Sequence, residues 1–147
     1  MRKWIAQRFE DLTPEELYEI FQLRAEVFIV EQNCPYLDFD DKDQKCIHFG
    51  AWEDKKLLAY VRILPPGLAY TEASIGRVCT SAFVRGTGIG RELMQKAIDK
   101  TYEFYGDCPI KISAQFYLTK FYESFGFKTK GEIYLEDFIE HIVMIKD

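Results

Sequence analysis

With two histidines and four cysteines in 147 residues, the chain has little from which to build a metal site. Cys34, Cys46, Cys79 and Cys108 lie far apart, with no Cys-x-x-Cys pair and no histidine pair at zinc spacing. They read as free, mostly buried thiols, and no metal is expected. No stretch approaches the roughly 18 uncharged apolar residues of a membrane span. The opening Met1 to Arg8 is charged on both sides of a few apolar residues, without the apolar run of a signal peptide. A cytoplasmic protein with no membrane partner is the expectation. Lys and Arg number 19 against 24 Asp and Glu, and the net charge of −5 argues against nucleic acid as a partner. Repeats, linkers and low-complexity tracts are also missing, so residues 1–147 are expected to form a single domain.

What is present is a well-supplied core, 48% hydrophobic and 16% aromatic. A chain of this length can remove about two-thirds of its unfolded surface from water. After a short strand over residues 2–10, Leu12-Thr13-Pro14-Glu15-Glu16-Leu17 signals a helix start. Thr13 is the N-cap, Pro14 occupies N1, Glu16 closes a capping box, and Leu12 with Leu17 forms a hydrophobic staple. Apolar spacing carries this helix to about Phe28, before an irregular segment from Val30 to Gln44. Ile47 to Trp52 and Leu57 to Leu64 read as a hairpin, and Ala73 to Phe83 as a third strand. Ile89 to Tyr105 carries one apolar helix face, and Ile110 to Ser113 is a short strand. A helical stripe at Leu118, Phe121, Tyr122 and Phe125 stops at Gly126, and two strands close the chain around Glu136-Asp137. Strands on both sides of two central helices predict an α/β or α+β fold with a mixed sheet.

The third strand runs into Val84-Arg85-Gly86-Thr87-Gly88-Ile89-Gly90-Arg91, three glycines spaced by two at the start of a helix. Glycines let backbone approach an anion closely, and the first N–H groups of a helix have no partner within it. The turn is therefore a candidate diphosphate site, with Arg85 and Arg91 as flanking cations. The same triplet also suits a plain tight turn before a core helix. A nucleotide P-loop is set aside because no Gly-Lys-Ser/Thr follows Gly90, and a dinucleotide fingerprint because residue 91 is Arg. Asp38, Asp40, Asp41 and Asp43 either attract a cationic amine or form a solvated loop. An EF-hand is excluded, because Asp43 stands where its glycine belongs and Phe49 where its last carboxylate belongs.

Arg85, Gly88 and Gly90 match Q/R-x-x-G-x-G/A, and Gln115, Tyr122 and Gly126-Phe127 match a second signature. On these motifs the chain resembles the GNAT family of acetyl-CoA-dependent N-acetyltransferases. The family usually has Asn where Gln115 stands. Along nearly its whole length the chain is similar to the ElaA-like subgroup, in ordered blocks from Arg24 to Tyr36, Asp38-x-Asp40, His48, Arg62 to Pro66, Ile75 to Val78 and Arg85 to Gly90. The subgroup's Glu-Asp/Glu-Gly-Ile-Pro-His is replaced here by Glu136-Asp137-Phe138-Ile139-Glu140-His141.

The resemblance implies a strongly twisted mixed sheet flanked by helices, with acetyl-CoA as co-substrate. It places the acetyl group at Val78, Cys79 and Thr80 and the diphosphate on Arg85, Gly86, Thr87, Gly88, Ile89, Gly90 and Arg91. Gln115 would bond the pantetheine, and Tyr122 would protonate the departing thiolate as general acid. The acceptor would be a primary amine of a small molecule or peptide. An alkylamine of pKa near 10.4 needs a base or water relay to lose a proton at neutral pH, which costs roughly 4–5 kcal/mol. His48, Glu31, Glu72 and His141 are the candidates, with His48 preferred because a neutral imidazole is available near pH 7. Cys79 has no base partner in sequence that would make it a covalent nucleophile. Homodimerisation stays open, and the alternative function is a non-catalytic acyl-CoA-binding or sensing module.

Overall fold

The computed structural model describes residues 1–147 throughout. The chain orders as β1 (Lys3–Arg8), α1 (Pro14–Arg24), β2 (Ile47–Glu53), β3 (Lys56–Leu64), β4 (Ser74–Thr80), α2 (Ile89–Tyr105), β5 (Ile110–Gln115), α3 (Thr119–Glu123), β6 (Lys128–Glu136) and β7 (Ile139–Lys146). Helix α1 starts as its sequence dictates. Thr13 Oγ1 accepts from the Glu16 N–H at 3.1 Å, and the Glu16 carboxylate accepts from the Thr13 N–H at 2.9 Å. The helix does not simply end near Phe28. It widens into a π-helical stretch, Ala25–Glu31, directly after Arg24, whose side chain is fully buried.

Strands β1-β2-β3-β4 form one antiparallel sheet and β5-β7-β6 another. The parallel component of the expected mixed sheet is a single bridge, Ala73 to Ile110, reinforced by the Lys111 N–H donating to the Ala73 carbonyl at 2.9 Å. Beyond that bridge β4 and β5 diverge and leave their facing edges unpaired. Hairpins β2-β3 and β6-β7 turn on two residues each, Asp54-Lys55 and Asp137-Phe138. All four have positive φ, between 48° and 69°, the conformation whose twist matches that of the flanking strands.

A bulge interrupts β4. Tyr60 pairs with Cys79 and Arg62 with Gly76, so Arg77 and Val78 both lie opposite Val61. Arg77 takes φ of 53°, unfavourable for a residue with a Cβ, and its guanidinium is tied to Asp38 at 2.7 Å. The sheets are covered on both faces. Leu93, Met94, Ala97 and Ile98 of α2 pack with Ile63, Ile75, Ile110 and Ile112 in the larger core. On the opposite face Ile20, Leu23 and Val27 pack with Leu57, Tyr60 and Cys79. Each such aliphatic side chain contributes about 1.5–3 kcal/mol when buried, which holds the two diverging halves to their common layers.

Candidate active site

A cleft of about 800 Å³ opens where β4 and β5 separate. Val78, Cys79, Thr80, Arg85, Gln115 and Tyr122 all line it, as do His141, Tyr36 and Tyr70. The backbone of β4 supplies its polar wall. The Ser81 N–H donates to the Leu58 carbonyl of β3 at 2.8 Å, and backbone groups alternate between the two edges of a strand. Cys79 therefore bonds toward β3, whereas Val78 and Thr80 turn their N–H and C=O groups into the gap. The Arg85 guanidinium takes the Thr80 carbonyl at 3.0 Å, as that orientation requires, and also the Glu31 carboxylate at 2.6 Å.

The glycine turn follows at the mouth of the cleft. Gly88 caps α2 with φ of 85°, a left-handed position suited to glycine. Gly90 is different. It sits in the first helical turn without a positive φ, and a Cβ built there meets no heavy atom within 4 Å. Glycine inside a helix costs about 1 kcal/mol relative to alanine, and neither packing nor backbone conformation calls for it here. The open space lies beside the unpaired N–H groups of the first turn, where an anion can be held. Arg91 at that turn stacks its guanidinium 4.9 Å from the Phe125 ring and donates to Ser124 Oγ at 2.8 Å.

Tyr122 reaches the cleft from α3, held edge-on between Phe121 and Phe127. It is 7% exposed, and burial pushes its phenol up to about 12, so at neutral pH it carries a proton to donate. No protein group takes up its hydroxyl, which keeps access to the cleft. Gln115 ends β5 and exchanges hydrogen bonds with Gln32 at 3.3 and 3.4 Å, so its amide is shared with a residue the sequence reading did not single out. The Cys79 thiol is buried among Tyr60 and Val27, and burial pushes it up to about 12. A thiolate nucleophile is unavailable there.

His48 does not reach the cleft. It is 2% exposed, its Nε2–H donates to the Asp43 carbonyl at 2.8 Å, and its Nδ1 accepts from the Tyr60 hydroxyl at 2.6 Å. Both nitrogens are occupied, burial holds the ring below the ordinary imidazole value, and the expectation that His48 is the base is corrected. Of the other candidates, Glu31 is paired with Arg85, and Glu72 lies in a separate shallow depression with Lys111. His141 lines the cleft. Its Nδ1–H faces the Ile139 carbonyl at 2.8 Å, its Nε2 lies 3.4 Å from the Glu136 carboxylate, and Tyr134 stacks on its ring.

The acidic stretch is neither a solvated loop nor a free carboxylate cluster. Arg24 binds Asp38 at 2.9 Å and Asp43 at 2.8 Å, and Arg62 binds Asp40 at 2.5 Å and Asp43 at 2.9 Å. Arg77 adds bonds to Asp38, and three arginines thus neutralise three aspartates; only Asp41 is exposed. Burial opposes the charge on Asp40, yet the Arg62 guanidinium wins and holds its carboxyl well below the usual range. This network fixes residues 34–45 against the sheet, and Tyr36 and Leu37 of that segment complete one wall of the cleft. No group of three or more potential metal ligands is assembled anywhere in the chain, and no helix is long and apolar enough to cross a membrane.

The model of the Acetyltransferase (GNAT) domain family matches residues 9–147. The UPF0039 protein sll0451 of Synechocystis is 46% identical over 143 residues, covering 97% of this chain and 93% of that protein. Protein ElaA of Escherichia coli is 39% identical over 149 residues, covering 100% of this chain and 97% of its own. Among solved structures, an acyl-CoA N-acyltransferase from Pseudomonas aeruginosa superposes with a TM-score of 0.95 at 42% identity, with both chains fully covered. The crystal structure of E. coli ElaA gives 0.93 at 38% identity, again over the whole of both chains.

Proposed function

Because the chain belongs to the GNAT acetyltransferase domain family, we propose that it is an N-acetyltransferase moving an acetyl group from acetyl-CoA directly to a primary amine of a small molecule or peptide. The observation that carries this reading is Gly90, a glycine with neither a packing nor a backbone reason, facing open space at the first turn of α2. The residues suit the co-substrate. Diphosphate would rest on the N–H groups from Gly88 to Arg91, and pantetheine would lie along the unpaired edge of β4. The N–H groups of Val78 and Thr80 are the donors available to the thioester carbonyl, and Gln115 is within the same cleft to bond the pantetheine amide.

Bound acetyl-CoA supplies the activated acyl group and a thiolate leaving group. Tyr122, packed between Phe121 and Phe127, holds a proton on the cleft wall and would deliver it to sulfur. Cys79, as a protonated buried thiol, supports direct transfer over an acyl-enzyme. A cytoplasmic location and use of acetyl in preference to longer acyl groups are part of this reading.

Calorimetric titration of acetyl-CoA into wild type and Gly88→Glu tests it. At φ of 85° any side chain strains the backbone, and a carboxylate there meets the diphosphate with like charge. Binding by wild type that is lost in the variant, with thiol release in the presence of primary amines, is expected. Wild type that does not bind acetyl-CoA makes the glycine turn a structural element and ends the reading. Binding without turnover would leave the acyl-CoA-binding module as the function.

A further inference from the structure

We propose that His141 is the catalytic base and that the acceptor amine enters at the β6-β7 end of the cleft, where Glu136 and Asp137 meet it as an ammonium ion. This rests on the acetyltransferase reading and extends it to the residue that takes the proton. The two histidines meet backbone carbonyls through opposite ring nitrogens. His48 faces a carbonyl with Nε2, and His141 faces one with Nδ1. A nitrogen opposite a carbonyl must carry the hydrogen, since the carbonyl can only accept. The one ring hydrogen bond of His141 is through Nδ1, so the neutral ring with its hydrogen there leaves Nε2 as the basic atom; Nε2 lies 3.4 Å from the Glu136 carboxylate without a hydrogen bond to it, and pairs with it as the imidazolium.

The ring is anchored from two sides. Ile139 fixes Nδ1, Tyr134 stacks on one face at 6.1 Å, and the Tyr134 hydroxyl is in turn bonded to Ser113 of β5. His141 also pairs with Gln115 across β5 and β7, one strand in from the β5 edge that faces β4. The charge around it matches an arriving ammonium. Glu136 has no cationic partner other than His141, and Asp137 has none. The arginines that line the cleft are committed elsewhere, Arg62 to Asp40 and Asp43, Arg77 to Asp38, and Arg85 to Glu31. The remaining titratable neighbours are Tyr70, which feels Tyr134 and Glu136, and Tyr36, which feels Asp38, Arg77 and Asp137.

The acceptor ammonium gives one proton to His141 Nε2, and the imidazolium, held beside Glu136, returns it to solvent. The neutral amine forms the C–N bond as the C–S bond breaks. Tyr122 protonates the sulfur, and the second proton lost by nitrogen restores the phenol through cleft water. His141 acts on the amine and Tyr122 on the thiol, so neither group has to do both tasks.

Two measurements test this. Long-range 1H–15N correlation spectra of the wild-type protein near neutral pH should show one histidine with its hydrogen on Nε2 and one, lost in His141→Gln, with its hydrogen on Nδ1. A neutral Nε2–H form of His141 overturns the proposal without any acceptor being known. Thiol release from acetyl-CoA would then be followed with a panel comprising a diamine, a phenylalkylamine, an amino sugar and a lysine peptide. His141→Gln should lose about 10²-fold or more in kcat/KM near pH 7, with acetyl-CoA affinity unchanged by calorimetry. The deficit should close as pH approaches the amine's own pKa, about 10.4, where solvent supplies the neutral form. A variant with the wild-type rate and pH profile removes His141 from the mechanism while leaving the acetyltransferase reading intact. Wild type that binds acetyl-CoA but turns over no amine removes both.

Discussion

Asp43→Asn is the sharpest probe of how the cleft is held open. Asp43 is 5% exposed and accepts from Arg24 at 2.8 Å and from Arg62 at 2.9 Å, while its backbone carbonyl fixes His48. The substitution keeps the volume and removes one of three negative charges that balance three guanidinium groups. Breaking a buried ion pair from one side costs about 3–5 kcal/mol, because the abandoned charge stays desolvated. Asp38 still serves Arg24 and Asp40 still serves Arg62, so the lower end, about 3 kcal/mol, is the expected loss. Against a domain stability of roughly 5–15 kcal/mol that is a large fraction. It should lower Tm by about 6–12 °C, at some 2–4 °C per kcal/mol for a chain of this size. Urea unfolding with an unchanged m-value reads the same loss. Asp41→Asn is the control: Asp41 is exposed at φ of 62°, where Asn is well tolerated, and stability should hold within about 0.5 kcal/mol. Because Tyr36 and Leu37 ride on the segment that the network secures, Asp43→Asn should also raise KM for the amine while acetyl-CoA affinity holds. A stability within about 1 kcal/mol of wild type would refute the reasoning, since the two remaining carboxylates would then suffice.

Tyr122→Phe should lower kcat by about 10²-fold or more while calorimetry finds acetyl-CoA affinity nearly intact, because only the proton donor is removed. An unchanged kcat would take the acid role away from Tyr122. Cys79→Ala should keep turnover, as a thiol pushed up to about 12 by burial is not a nucleophile at neutral pH; a variant that binds acetyl-CoA and has lost all activity would point to an acyl-enzyme. Stability should fall as pH drops below 6.5, the ordinary value for the His48 ring. Burial depresses His48 in the folded state, so the unfolded chain takes a proton that the native one refuses. The contribution of the neutral ring is complete above 6.5 and is lost as pH falls through the depressed value, by up to about 1.4 kcal/mol per pH unit. Asp40 and Asp43, both lowered from 3.8, add a second loss at still lower pH. Urea midpoints from pH 7 to 5 should slope less in His48→Gln, and an unchanged slope would show that another group carries the proton uptake.

Local chemistry was the most legible part of the chain. Thr13, Pro14 and Glu16 start α1 as written, and the glycine turn falls between β4 and α2, because caps and turns depend on neighbouring residues alone. Charge placement was not legible. Asp38, Asp40 and Asp43 look like a polar loop until Arg24, Arg62 and Arg77 are brought to them from a helix and two strands. A signal did exist, since Arg62 interrupts an otherwise apolar strand and Arg24 follows Leu23 on a buried helix face. A charge in such a position needs a partner, and the aspartates were the available ones. The preference for His48 failed for a similar reason. Its flanks, Ile47 and Phe49, mark a fully buried strand, in which alternation does not tell which face meets a cleft. His141 alternates with exposed Glu140 near a hairpin turn and so takes the inward face, yet its place on the cleft wall and its hydrogen bond to Ile139 are visible only in three dimensions.

The same arrangement explains why a protein would keep so many buried charges. Opening the sheet leaves backbone donors of β4 without partners, and the bulge that helps to open it places Arg77 in a strained conformation. Something must fix that geometry when no ligand is bound. The Arg77 guanidinium is bound by Asp38, Asp38 also binds Arg24, and Arg24 and Arg62 share Asp43. The strain at the bulge is thus tied, through four side chains, to α1, β3 and the segment that walls the cleft. A hydrophobic replacement could match the network in stability, but it would not dictate the conformation of one residue in β4. The network is best understood as the device that keeps Val78 and Thr80 facing the gap, and replacing Arg77 by Gly should test this. Glycine removes the strain and the tether together, so stability should change little, whereas turnover should fall because the strand edge is no longer held.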